Sequence, residues 1–204
     1  MSTVKLTKNE LRIQQNKLAQ LKRYLPTLQL KKAMLQFEVI NAQMEIDSLK
    51  ESLDKVRLRV EGFSSFLLEK VDCDIGMYSD VQHVRKRYEN IAGVEIPIFE
   101  SVEFRKSSYF LFDTPVWTES ATALLQSLVT EREKIHVAQE KKRALEKELR
   151  EVSIRVNLFE KILIPRSIEN IKKIRIFLGD QQLASVAQAK VAKTKILARK
   201  QESA

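Results

Sequence analysis

Residues 18–60 read LAQLKRYLPTLQLKKAMLQFEVINAQMEIDSLKESLDKVRLRV. Alternating steps of three and four pick out Leu18, Leu21, Leu25, Leu28, Lys32, Leu35, Val39, Ala42, Ile46, Leu49, Leu53, Val56 and Val60. Only Lys32 interrupts the apolar series. Side chains at this spacing line one narrow side of an α-helix, a seam that is stable only against another helix. A second ladder answers it: Leu128, Glu131, Ile135, Ala138, Lys142, Leu145, Leu149, Val152, Val156, Phe159 and Leu163. The pattern predicts a mainly α protein whose N- and C-terminal helices form a long antiparallel coiled coil. Lys32 and Lys142, at seam positions, are expected to set register at some cost in stability.

The expected organisation is one elongated domain over residues 1–204. It has an N-terminal helix over about 5–68, a mid-chain segment over 69–117 and a C-terminal helix over about 118–200. Thr7 followed by Glu10 reads as a capping box at the first helix start. Thr118 or Ser120 can cap the second. Four Gly and four Pro in 204 residues leave few helix breakers. Pro26 falls inside the first ladder, and a kink or short break is expected there. Interruptions are likewise expected at Pro165 and Gly179. In the middle, Asp72 to Gly76 reads as a turn. From Val94 to Phe104 the even positions are apolar except Glu100, which is a strand period and suggests a small β-hairpin. Tyr109, Phe110, Leu111 and Phe112 suggest an aromatic minicore that leaves a few residues for docking.

Charge is unevenly placed. Residues 1–40 hold eight Lys/Arg and two acids, a balance of +6; residues 161–204 hold ten and three, a balance of +7. The rest of the chain is −4, within a total of +9. Antiparallel pairing would bring Lys5, Lys8, Arg12 and Lys17 to the same end as Lys190, Lys193, Lys195, Arg199 and Lys200. Such a tip favours an acidic partner. If the helices pair from their inner ends, the second overshoots the first by nearly twenty residues, or about 30 Å. The overshoot carries a nearly uncharged stretch at Gln181–Ala189 and then basic residues, a profile suited to a channel or socket.

Catalytic signatures do not emerge. The sequence has no G-x-x-x-x-G-K-[ST] loop and no G-x-G-x-x-G turn. His83, His136 and the single Cys73 lie in different segments and do not form a zinc pattern. No metal, cofactor or catalytic residue is expected. One Cys excludes an internal disulfide and fits a reducing compartment. The longest uncharged run, Ser120–Thr130, is well short of a membrane span. Two other readings remain open: a basic coiled-coil arm for nucleic acid, and a scaffold. Tyr24 and Phe37 are the only aromatics in the first basic block, so base stacking has little support.

Several segments resemble a known family. Arg155-Val156-Asn157-Leu158-Phe159-Glu160, followed by Ile164-Pro165, resembles the R-V-N-A-L-E…I-P signature of the D subunit of V-type and archaeal A-type ATPases. Leu158-Phe159 stands where that signature has Ala-Leu. Asn90-Ile91-Ala92-Gly93-Val94-Glu95-Ile96-Pro97-Ile98-Phe99 is similar to the family's A-G-V-x-[LI]-P-x-F segment. Leu6–Leu11 resembles its P-T-[KR]-x-E-L opening, and Leu28–Lys32 its L-L-K-x-K. The motif residues here are thus Asn90, Gly93, Pro97, Phe99, Arg155, Val156, Asn157, Glu160 and Pro165.

The resemblance implies a central rotor shaft, without catalysis of its own, on the cytoplasmic side of a membrane. It implies a coiled coil standing inside a ring of three catalytic A and three B subunits, an F subunit on the rod, and a C subunit joining the shaft to the membrane rotor. ATP would be hydrolysed or made on the ring, with no nucleotide, nucleic acid or cofactor held by this chain. Contact with the membrane would come only through the complex, and the ion, H⁺ or Na⁺, would bind other chains. For the F subunit, residues 55–120 are the expected contact region.

Overall fold

The computed structural model describes residues 4–62, 79–105, 115 and 117–202. The elements are helix α1 (Lys8–Gly62), strands β1 (Val81–Ile91) and β2 (Val94–Phe104), helix α2 (Thr118–Leu158), a π-helical turn (Phe159–Leu163) and helix α3 (Ile164–Glu202). The chain divides into two compact units. One comprises residues 1–30 and 152–204, the other residues 31–151.

Helix α1 begins where the cap residue predicts. The Glu10 N–H donates to Thr7 Oγ1 at 3.2 Å, and Leu11 N–H bonds the Thr7 carbonyl at 3.0 Å. The Glu10 carboxylate does not close the box; it accepts Gln14 Nε2 at 2.9 Å. The helix then runs unbroken through Pro26, so no short break occurs there. Pro26 lies on the exposed side. The expected continuation to residue 68, the turn at 72–76 and the aromatic run at 109–112 lie outside the described residues. Thr118 opens α2 but does not cap it with its hydroxyl. Thr118 Oγ1 is buried without a hydrogen-bond partner among the described residues, while the Thr118 carbonyl accepts Thr122 Oγ1 at 2.8 Å.

In the unit of residues 31–151, α1 and α2 pack antiparallel. Lys31 Nζ meets Glu148 Oε1 at 2.7 Å, Lys142 Nζ donates to Gln43 Oε1 at 2.8 Å, and Lys141 Nζ meets Glu45 Oε2 at 2.8 Å. Numbers rise on one helix as they fall on the other. Between these rims lie Leu35, Ala42, Ile46 and Val56 of α1 and Ile135, Ala138, Leu145 of α2, all buried. Val39, Leu49, Leu53 and Leu149 are half-buried. Leu35 and Leu145 are fully excluded from water. Lys142 keeps its ammonium at the seam edge, shared between Gln43 and Glu146 at 3.3 Å. A long stem with a charged head suits that position.

The strands form a two-stranded antiparallel hairpin. Ile91 pairs with Val94 across a two-residue loop, and Ala92 and Gly93 both take positive φ, 52° and 84°. Positive φ at both loop residues defines the turn type that matches strand twist. Asn90 Oδ1 accepts the Gly93 N–H at 2.9 Å and braces the turn. Glu100, the polar exception in the strand pattern, falls at a bulge: Arg85 pairs with Ser101 while Lys86 pairs with Phe99. The extra residue leaves the ladder and faces water.

In the unit of residues 1–30 and 152–204, the start of α1 lies along the end of α2 and α3. Leu21 is buried and Leu18, Leu25 and Leu28 are half-buried. Opposite them, Val152, Val156, Ser167, Ile171 and Ile174 are buried, with Phe159, Leu163 and Leu178 partly so. This stripe steps 152–156–159–163–167–171–174–178, one residue longer than the strict alternation of three and four would allow. The π-helical turn absorbs the extra residue. Its closing bond runs from Ile164 N–H to the Phe159 carbonyl, five residues back rather than four. The wider turn also sits directly before Pro165, where an α-turn would press the pyrrolidine ring against the Lys161 carbonyl. Pro165 is therefore accommodated by a change of turn, not by the expected interruption. At Gly179 the helix continues without any break.

Candidate functional site

Two features outside the seams carry the functional argument. The first is the end of α3. Leu6, Thr7 and Lys8 lie against Phe177, Leu178, Gln181, Gln182 and Ser185. From Gln181 to Arg199 every residue is exposed. Nineteen helical residues extend roughly 28 Å at 1.5 Å per residue. This stretch contains Lys190, Lys193, Lys195 and Arg199 and no acid; the helix runs on through Lys200. Lys5, Lys8, Arg12 and Lys17 are also exposed.

The apolar residues of this exposed stretch do not form one face. Leu183, Val186, Val191, Ile196 and Leu197 are each more than half exposed. At 100° per residue they spread over much of the circumference, and Ser185, Gln188, Lys195 and Arg199 fill the remaining arc. Apolar residues spread this widely do not form a single docking stripe.

The second feature is the hairpin and its seat in the unit of residues 31–151. Ile96 and Pro97 of β2 are buried. Phe99 is half-buried, with Lys134 Nζ 5.9 Å from its ring centre. Lys134 is also paired with Glu131 at 2.7 Å. From β1, Lys86 Nζ reaches Glu140 Oε2 on α2 at 2.6 Å, and His136 Nδ1 stands 3.6 Å from the other oxygen of that carboxylate. Arg85–Glu103 and Arg87–Glu89 form close ion pairs on the exposed strand surface. The hairpin is thus clamped to α2 at one side chain and packed at Ile96–Phe99, while Tyr88 and Val81 stay exposed.

The motif residues fall into two groups. Asn90, Gly93, Pro97 and Phe99 build the hairpin turn and its seat. Val156 is buried in the seam, Glu160 lies within the π-turn and Pro165 just after it, and Arg155 and Asn157 face outward. The spacing argument passed over Ser167, Ile171 and Ile174, because the ladder stops at Leu163 unless a one-residue skip is allowed. It also read Gly179 as a breaker. A helical Gly costs about 1 kcal/mol relative to Ala, yet a Cβ built at Gly179 would meet nothing within 4 Å.

Ionisation offers little chemistry. Asp47 is held below its ordinary value, chiefly by the Gln43 amide and further by Lys50. Among the described residues there is no group of three or more His, Cys, Asp or Glu that could hold a metal ion. No described helix is long and apolar enough to cross a membrane.

Comparison with known proteins agrees with this arrangement along the whole chain. The family model for the D subunit of ATP synthase matches residues 10–194. The V-type ATP synthase D subunit of Chlamydia abortus is 45% identical over 203 residues, covering 99% of this chain and 98% of that protein. The D subunit of Chlamydia felis is likewise 45% identical over the same span. That of Chlamydia pneumoniae is 42% identical over 198 residues, covering 97% and 95%. A match of this extent and identity shows that the chain belongs to the ATP synthase D-subunit family.

Proposed function

We propose that the chain is the central stalk, or rotor shaft, of a V-type or A-type rotary ATPase. It couples ATP hydrolysis or synthesis on a ring of A and B subunits to ion movement through a membrane rotor, and does no catalysis itself. The observation that carries this reading is the exposed end of α3: nineteen helical residues, Gln181–Arg199, all exposed, without an acid, and with apolar side chains over much of the circumference. A ring of subunits supplies a sleeve for such a helix, and a basic surface suits an acidic lining. The hairpin and the region about 55–120 would meet the F subunit, and the C subunit would join the shaft to the rotor on the cytoplasmic side of the membrane. Residues 1–204 would act together as one elongated domain. The absence of a nucleotide loop from the sequence fits chemistry performed on other chains.

The test is charge reversal at Lys190, Lys193, Lys195, Arg199 and Lys200 in the reconstituted membrane complex. Ions moved per ATP hydrolysed should fall several-fold while hydrolysis by the ring persists. Unchanged ATP-driven ion transport would contradict the assignment of this segment.

A further inference from the structure

Within the unit of residues 1–30 and 152–204, the seam carries one polar level. A step of four back from Leu18 along the α1 ladder reaches Gln14, and the facing stripe passes through Ser167. Both line a cavity of about 460 Å³. Further along, the seam is aliphatic again, with Leu21, Ile171 and Ile174 buried. Ser167 is 4% exposed, and its hydroxyl makes no hydrogen bond among the described residues. Asn170, half-buried in the same lining, makes no side-chain bond there either. A buried polar group without a partner costs stability that an aliphatic residue at the same place would not. The seam is therefore weaker here than its neighbours need it to be, and what it gains is a polar cavity.

Cations gather at the mouth. Lys5, Lys17 and Arg166 line the cavity and are exposed, and none is in an ion pair among the described residues. The carboxylate in the lining, Glu10, is already engaged, its Oε1 accepting Gln14 Nε2 at 2.9 Å. Three segments supply these groups. Lys5 precedes α1. Glu10, Gln14 and Lys17 share one side of α1 at steps of four and three, and Ser167 and Asn170 share one side of α3 with Arg166 beside them. Like charges brought together without a counter-ion repel, and an anion in the cavity relieves that repulsion.

We infer that this cavity is a binding site for a multiply charged phosphate oxyanion, inorganic phosphate or a short polyphosphate. Arg166 presents paired N–H donors that match two phosphate oxygens. Lys5 and Lys17 neutralise charge from the α1 side, and the Ser167 hydroxyl and Asn170 amide donate from the floor. A nucleotide offers the same phosphates, but no described aromatic side chain lines the cavity, so a base finds no ring to stack on. Tripolyphosphate and magnesium-free ATP should therefore bind alike. The site is built by this chain alone and does not depend on the shaft reading.

The experiment titrates the full-length chain with tripolyphosphate at fixed ionic strength by isothermal titration calorimetry, with inorganic phosphate and magnesium-free ATP as separate arms. One tripolyphosphate should bind per chain and raise the melting temperature; inorganic phosphate should bind more weakly and be displaced by it. Lys17→Gln with Arg166→Gln should weaken binding about tenfold or more, since two charge-assisted contacts are lost. Arg143→Gln with Lys147→Gln removes the same charge from exposed positions on α2 and should change it less than about twofold. Ser167→Ala should weaken binding about threefold without lowering the melting temperature of the free chain, because it replaces an unpaired buried hydroxyl. If the two double variants lose affinity equally, the anion meets only the general positive charge of the chain and the inference fails. Tripolyphosphate that does not bind at millimolar concentration overturns it as well. If Ser167→Ala binds as tightly as the unaltered chain, the buried floor takes no part and a surface charge patch replaces the proposed site. ATP binding far tighter than tripolyphosphate would assign the cavity to a nucleotide and overturn the assignment to phosphate alone.

Discussion

The π-helical turn makes a one-residue prediction with opposite signs. The buried stripe from Val152 to Leu178 is one residue too long for an unbroken α-helix, and the turn at Phe159–Leu163 takes up the excess. Deleting exposed Lys161 should let this stretch become α-helical while Ser167, Ile171 and Ile174 stay in the seam. Because Pro165 would then sit in an α-turn, at a cost of about 3 kcal/mol, the deletion is made with Pro165→Ala. Inserting one Ala after Lys161 in the same background adds a second skip. It rotates everything downstream by about 100° and turns Ile171 and Ile174, 8% and 0% exposed, towards solvent. At about 1.5–3 kcal/mol for each buried aliphatic side chain, the insertion should cost about 3–6 kcal/mol and the deletion within about 1 kcal/mol. Urea unfolding of the full chain, followed by far-ultraviolet circular dichroism, reads both. Equal losses for deletion and insertion would refute the idea that the turn stores a register skip.

Four further outcomes follow from individual contacts. Leu145→Ala, at a fully buried seam position, should cost about 3 kcal/mol, whereas exposed Ile154→Ala should cost less than about 0.5 kcal/mol; unfolding curves compare them. Gly93→Ala should destabilise the hairpin by about 1 kcal/mol because φ is 84°, and Ala92→Gly, at φ 52°, should stabilise it by a similar amount. Glu148→Gln should cost no more than about 1 kcal/mol, because both partners of the Lys31 pair are partly exposed, at 32% and 26%. Asp47 should titrate below its ordinary value of 3.8 in a carboxyl-detected NMR titration, and move back towards it in Gln43→Ala. Since the folded value is the lower one, its contribution to stability is present above the ordinary range and is lost as pH falls through the folded value.

Much of this architecture is legible from spacing. Leu35, Ile46, Leu145 and Val152 are buried where alternating threes and fours place them. The overshoot of the second helix follows from counting residues on either side of the middle. The hairpin is readable from the even positions of β2, and its turn from Asn90 and Gly93. Three features escape a reading by period. A π-turn changes phase by one residue, so the stripe past Leu163 looks as if it ends there. Proline and glycine are weak evidence when neighbours can compensate: Pro26 sits on an exposed face within a helix held by its seam, and Gly179 is flanked by turns that stay helical. The basic cavity arises from the pairing of two distant segments, so neither Lys17 nor Arg166 marks it alone. The family motifs are informative in a different way. Several of their residues, such as Val156, Pro97 and Gly93, shape the scaffold, while the exposed end of α3 carries little motif.

The most direct measurement of the central claim is native mass spectrometry of the chain co-expressed with the A, B and F subunits of its own organism. The account predicts one copy of this chain with three A, three B and one F. An A/B hexamer that forms without it, while the chain stays alone or pairs with itself, would contradict the account.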